Sequence, residues 1–158
     1  MKRFNVTGVC VPSKDYMVDI SEKLEKIMNL INDGSYFTIN RARQYGKTTT
    51  LSQIQKTLPA EYICIRISFQ GVGDKSFESE EAFCKMFLGL IHDSLEFAPV
   101  EDEYREKWAD YGVTDFNMLK RHISKMCKSK KVVLLIDEID KMSHNRIFLH
   151  FIGIVKHI

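Results

Sequence analysis

Two hydrophobic rhythms run along the chain, one near the helical repeat and one unbroken or alternating, and the switches between them mark its elements. Ile20, Leu24, Ile27 and Ile31 recur at spacings of four, three and four, which is one face of an amphipathic helix. Asp19 with Glu22 forms an Asp-x-x-Glu capping box at its start, and Gly34 is placed to close it. Residues 36–40, Tyr-Phe-Thr-Ile-Asn, are short, aromatic and β-branched, the composition of a buried strand. The rhythm then stops from Arg41 to Thr50, after which Leu51, Ile54 and Leu58 keep helical spacing until Pro59. A second strand is predicted over 62–69, ended by Gly71 and Gly73. Ser79 is a candidate N-cap for a long helix reaching Phe97, with Phe83, Phe87, Leu90, Ile91 and Leu95 on its buried side. Residues 98–112 form a polar connector with a short helix around Trp108. Residues 114–128 form a helix burying Phe116, Leu119, Ile123 and Met126. Val132 to Ile136 is aliphatic without alternation, which predicts a strand covered on both faces. A last helix is expected from about Asn145, and residues 1–18 show no period beyond a short extended stretch near Tyr16-Met17-Val18.

The order is therefore α, β, α, β, α, α, β, α, and strands separated by helices indicate parallel crossovers in a layered α/β fold. A length of 158 residues limits the chain to one domain or a piece of one. With 23 Lys and Arg against 21 Asp and Glu, the net charge of +2 does not write polyanion binding into the composition. Ten Phe, six Tyr and one Trp are enough to fill a core, which excludes disorder as the main state. No aliphatic run approaches membrane-span length, and the basic start at Lys2 and Arg3 is followed by no signal-like apolar stretch, so a cytoplasmic protein without a membrane partner is expected. Cys10, Cys64, Cys84 and Cys127 form no CxxC pair and read as buried or half-buried free thiols. His144, His150 and His157 lack the i, i+4 spacing of a helical metal site and are given no chemistry.

The chemistry lies in the segment where the rhythm stops. Gly46-Lys47-Thr48 supplies a glycine for close approach to phosphates, a lysine for the β/γ-phosphates and a hydroxyl for Mg²⁺. The usual P-loop pattern has a further glycine five residues before Gly46, where this chain has Arg41. The tripeptide alone is weak, but it sits between a predicted strand and a predicted helix, the context that the motif requires. Ninety residues after Lys47, the aliphatic strand ends in Asp137-Glu138. An acid pair at the C-terminal tip of a parallel strand lies where ligands bind in such sheets. The aspartate can hold Mg²⁺ directly or through water, and the glutamate can orient and deprotonate an attacking water. A solvated strand end or an ordinary helix start would explain either motif alone, but not both in this order.

Asn40-Arg41-Ala42-Arg43-Gln44-Tyr45-Gly46-Lys47-Thr48 resembles the modified Walker A of the bacterial and archaeal AAA-ATPase-like family, P-loop ATPases whose loop often reads Arg-Pro-Arg-Arg-Phe-Gly-Lys-Ser. Leu134-Leu135-Ile136-Asp137-Glu138-Ile139-Asp140 is similar to that family's Walker B, and Tyr16-Met17-Val18-Asp19 fits its lead-in. The resemblance implies a three-layer P-loop NTPase-type parallel sheet with helices on both faces, with a lead-in over 1–34 and a nucleotide-binding core over 35–158. It implies ATP and Mg²⁺ as ligands. Lys47 would bind phosphate, Thr48 and Asp137 would hold Mg²⁺, and Glu138 would be the catalytic base. Arg41, Arg43, Gln44, Tyr45, Gly46 and Thr49 complete the nucleotide-binding set. For Arg41 and Arg43 a phosphate contact and outward solvation both stay open, Tyr45 has packing against the sheet as its alternative, and Asp140 has only a capping or surface role.

Such ATPases place a further strand, following Walker B in sequence, between their Walker A and Walker B strands. Only twenty residues follow Glu138, leaving no room for that strand, an arginine finger or a lid. A truncated member is therefore expected, with the strands at 36–40 and 132–136 lacking their shared neighbour and ATP hydrolysis weak or absent unless a partner chain completes it. Two alternatives stand beside this reading. One is a non-enzymatic fragment that forms homo- or hetero-oligomers through an open sheet edge. The other is nucleic-acid binding through Lys120, Arg121, Lys125, Lys128, Lys130 and Lys131, against the plainer reading of a solvated basic face.

Overall fold

A computed structural model describes residues 19–39, 46–109, 112–139, 142 and 144–157. The chain divides into two compact units with the boundary between Pro59 and Ala60.

The first unit contains helices α1 (Ser21–Asn32) and α2 (Lys47–Thr57). Helix α1 buries Ile27 and Ile31, two positions of the expected apolar face. Gly34, at φ 66°, closes it: its N–H donates to the Ile31 carbonyl and that of Ser35 to the Leu30 carbonyl, the paired bonds of a Schellman cap. At the other end the expected capping box does not form. Asp19 Oδ1 instead accepts the Ser21 N–H at 2.9 Å and the Ser21 hydroxyl at 2.6 Å, because a carboxylate two residues ahead of an N–H closes an Asx turn before it can reach the third one.

Residues 36–39 differ from the sequence expectation. They have no strand pairing, and Tyr36 is 43% exposed. A strand exists only through hydrogen bonds to a neighbour, and the described part of this unit contains only helices. Asn40 lies outside the described residues. Helix α2 buries Leu51 and Ile54 as expected and ends at Leu58, which adopts extended geometry (ψ 132°) because Pro59 follows it.

The second unit holds a two-stranded parallel sheet, β1 (Tyr62–Ser68) beside β2 (Lys131–Asp137), with Tyr62 opposite Lys131 and Ser68 opposite Asp137. The described fold is thus α/β with a small parallel sheet. Strand 131–137 pairs with 62–68, and residues 36–39 are not part of the described sheet. Helices α3 (Glu80–Leu95), α4 (Asp102–Glu106), α5 (Phe116–Cys127) and α6 (Arg146–Val155) complete the unit, with a 3₁₀ turn at Asp74–Phe77. The connector helix forms at 102–106 rather than around Trp108, since Asp102 and Glu103 suit a helix N-terminus; Trp108 follows it and is buried at 1% exposure.

Side chains alternate across the pleat. Ile63, Ile65 and Ile67 of β1 share a face with Val132, Leu134 and Ile136 of β2, and these pack with the main hydrophobic cluster. The opposite face carries Cys64, Arg66, Val133, Leu135 and Asp137, of which Leu135 is buried. The center of the cluster is aromatic. Phe83 has no exposed surface and meets Phe69, Phe77, Phe87, Phe116 and Phe151 at ring-centroid distances of 4.8 to 6.3 Å. Three helix starts hold their caps: the Ser79 hydroxyl accepts the Ala82 N–H, Asp115 accepts the Met118 N–H and Asn145 accepts the Phe148 N–H. Glu80 adds a second carboxylate at the start of α5, accepting the Phe116 N–H at 2.9 Å.

Cys84 is buried and Cys64 and Cys127 are half-buried free thiols. Burial pushes the Cys64 thiol up to about 11, against the opposing pull of the Arg66 guanidinium. Among the described residues no helix is long and apolar enough to cross a membrane.

Candidate functional site

The glycine-lysine-threonine segment opens helix α2. Gly46 is its N-cap residue at φ 73°, ψ 28°, the left-handed region, and it makes no side-chain cap. A Cβ there would meet only the Thr49 Cβ at 4.0 Å, so glycine is required by backbone conformation and not by space. The Gly46 carbonyl accepts both the Thr50 N–H at 2.8 Å and the Thr50 hydroxyl at 2.9 Å, and Thr50 is 1% exposed. That double bond to one carbonyl fixes the turn on which the helix starts.

Lys47, Thr48 and Thr49 occupy the first positions of α2, half-exposed, with no acidic residue in the first turn. The leading N–H groups of a helix have no intrahelical acceptor, and the helix dipole makes this end positive. A helix start after a left-handed glycine, carrying lysine and hydroxyl side chains, has the chemistry of an anion cradle. Arg41, Arg43, Gln44 and Tyr45 lie outside the described residues.

The acid pair belongs to the second unit. Asp137 is the last residue of β2, opposite Ser68, and its carbonyl accepts the Phe69 N–H at 3.2 Å, which extends the ladder by one bond. Both of its carboxylate oxygens are engaged. Oδ1 accepts the Glu138 N–H at 3.0 Å, and Oδ2 lies 3.5 Å from the Arg66 guanidinium. The Asp137 side chain is 11% exposed and that of Arg66 25%. Glu138 has φ 58°, the one non-glycine among the described residues in the left-handed region, and its side chain is exposed. Such a conformation costs a residue with a Cβ roughly 1–2 kcal/mol. The bond from its N–H to the Asp137 carboxylate helps hold it there. Asp140 lies outside the described residues.

Arg66 was not singled out by the sequence analysis, although a signal for it existed. It is the only charged residue in β1. In parallel register it stands beside Leu135, two positions before Ser68, so it shares a sheet face with Asp137.

The donor set can be tested against the ligands that the sequence implies. An ionised carboxylate offers about four lone-pair sites, and a hard oxygen donor such as the Asp137 carboxylate suits Mg²⁺. Among the described residues no cluster of three or more His, Cys, Asp or Glu side chains could hold a metal ion. A divalent cation bound through Asp137 would therefore draw on phosphate oxygens and water for its remaining ligands, the common mode for Mg²⁺.

A family model described as an AAA-like domain matches residues 7–157. Neither a curated protein nor a solved structure matches the chain.

Proposed function

Because the chain belongs to the AAA-like domain family, we propose that it is a Mg²⁺-dependent ATP-binding domain of a P-loop ATPase. The observation that carries this reading is the start of α2, where a left-handed Gly46 precedes Lys47 and Thr48 at the helix N-terminus. Lys47 binds the β/γ-phosphates, the leading N–H groups of α2 donate to phosphate oxygens, and Arg41, Arg43, Gln44, Tyr45 and Thr49 complete the nucleotide-binding segment. Thr48 and Asp137 hold Mg²⁺, which neutralises phosphate charge. Glu138 is the base that takes the proton of the attacking water, and its left-handed backbone is the strained geometry found at functional positions. Binding is the primary activity, and hydrolysis by the isolated chain is weak.

Calorimetric titration of ATP with Mg²⁺ tests the reading. Binding is expected in the wild type and lost in Lys47→Ala. A folded wild-type sample that takes up no nucleotide at millimolar ATP would refute it.

A further inference from the structure

Six basic residues crowd residues 120–131 in sequence, and the structure separates them into two groups. Lys130 and Lys131 are neutralised locally, Lys130 by Glu101 at 3.4 Å and Lys131 by Glu61 at 2.6 Å. Lys120, Arg121, Lys125 and Lys128 have no acidic partner among the described residues. These four, with Asn117 and Ser124, line an open surface groove of about 440 Å³ along α5. The other face of the same helix is locked into the core through Phe116, Leu119 and Met126. The charged face is therefore presented on a fixed support.

We propose that this groove binds the phosphate backbone of a nucleic-acid duplex without sequence preference, as a function separate from the nucleotide site. The first argument is spacing. At a rise of about 1.5 Å per residue, Lys120 to Lys128 covers about 12 Å, with axial steps of about 1.5, 6 and 4.5 Å between successive cations, a mean of about 4 Å. One strand of a duplex advances about 3.4 Å per phosphate. The second argument is composition. Every lining residue is a cation or a polar hydrogen-bonding group, so all can serve phosphate oxygens, and no apolar side chain is offered to a bilayer interior. The third is the lack of aromatic side chains in the lining. Single-strand binding relies on aromatic stacking platforms, so the chemistry favours a duplex whose bases stay paired. Uncompensated charge held this close together on one helix costs self-repulsion, and a linear polyanion relieves it.

Fluorescence anisotropy with the full chain and a labelled 20-base-pair duplex of arbitrary sequence tests the proposal, with a single strand and poly-glutamate as competing probes. Four phosphate contacts predict that log K falls with log salt at a slope of roughly −3.6, and loss of one contact in Lys125→Ala makes it shallower by about 0.9, to roughly −2.7. The double reversal Arg121→Glu/Lys125→Glu is expected to weaken binding at least tenfold while Trp108 emission shows the unit still folded. Lys47→Ala should bind duplex as the wild type does, which separates this result from the fate of the ATP reading. Absence of duplex binding at 50 mM salt, an unchanged affinity in the double reversal, or a preference for single strand or poly-glutamate over duplex would each overturn it.

Discussion

Phe83 is the side chain on which the second unit depends most. It has no exposed surface, and five other phenylalanine rings lie within 6.3 Å of it, centroid to centroid. Replacing it by alanine removes a whole ring from a close-packed center, and Phe→Ala changes in cores cost about 3–5 kcal/mol. The upper half of that range applies here, because the neighbours are themselves rigid rings on α3, α5, α6, the 3₁₀ turn and the end of β1, and five planar groups cannot collapse into the space as flexible aliphatics could. Each lost aromatic pair adds roughly 0.5–1.5 kcal/mol beyond area, and these terms overlap with the cavity cost. A loss of about 4 kcal/mol is expected. The lone tryptophan, Trp108, is 1% exposed and belongs to the same cluster, so its emission reports unfolding directly. In urea, with an m value of about 1.5 kcal/mol per molar, the Phe83→Ala midpoint should fall by roughly 2.5 M. A fall of less than about 1 M would mean that the rings repack around the gap and that the cluster is not the rigid center described above.

Two further substitutions probe other links. Gly46→Ala should lower stability by about 1–2 kcal/mol through the left-handed backbone alone, since a Cβ meets nothing closer than 4.0 Å; differential scanning calorimetry would show the loss, and an unchanged or raised melting temperature would argue against that conformation. The Cys64 thiol, raised from 9.0 to about 11 by burial, binds its proton more tightly folded than unfolded. Stability should therefore fall as pH climbs from about 9 to 11, seen in urea midpoints at each pH, and Cys64→Ala should flatten that part of the profile.

Much of the architecture can be read in the chain because local chemistry and burial point the same way. Phe83, Phe87, Ile91 and Leu95 fall on one helical face, Ser79 caps their helix, and the observed helix follows that pattern to within two residues at its C-terminal end. Gly34 is legible for the same reason, a residue without a Cβ at a position that needs positive φ. Residues 36–39 show the opposite case. Their composition suits a strand, but pairing is a property of a partner distant in sequence, and composition carries no address. The candidate site divides along the same line. Gly46 and Asp137 announce themselves through residue type and context, whereas the Arg66 guanidinium reaches Asp137 only through the register of two strands separated by 62 residues, Ser68 to Lys131. The split of the six basic residues into compensated and uncompensated groups also needed coordinates, since Glu61 and Glu101 come from remote segments.

The Arg66–Asp137 pair gives the acid pair an unusual starting balance. Its aspartate already faces the Arg66 guanidinium, so a cation drawn to that carboxylate would meet an incumbent. Association there is an exchange, and its free energy is the difference between two pairings instead of the whole of one. The outcome then depends on where the displaced guanidinium goes. With nothing to receive it, the incumbent has the advantage; with phosphate oxygens arriving alongside the cation, Arg66 gains a second anion to move toward. If Mg²⁺ binds there as proposed, a cation that travels with its own anions would be favoured over a bare one.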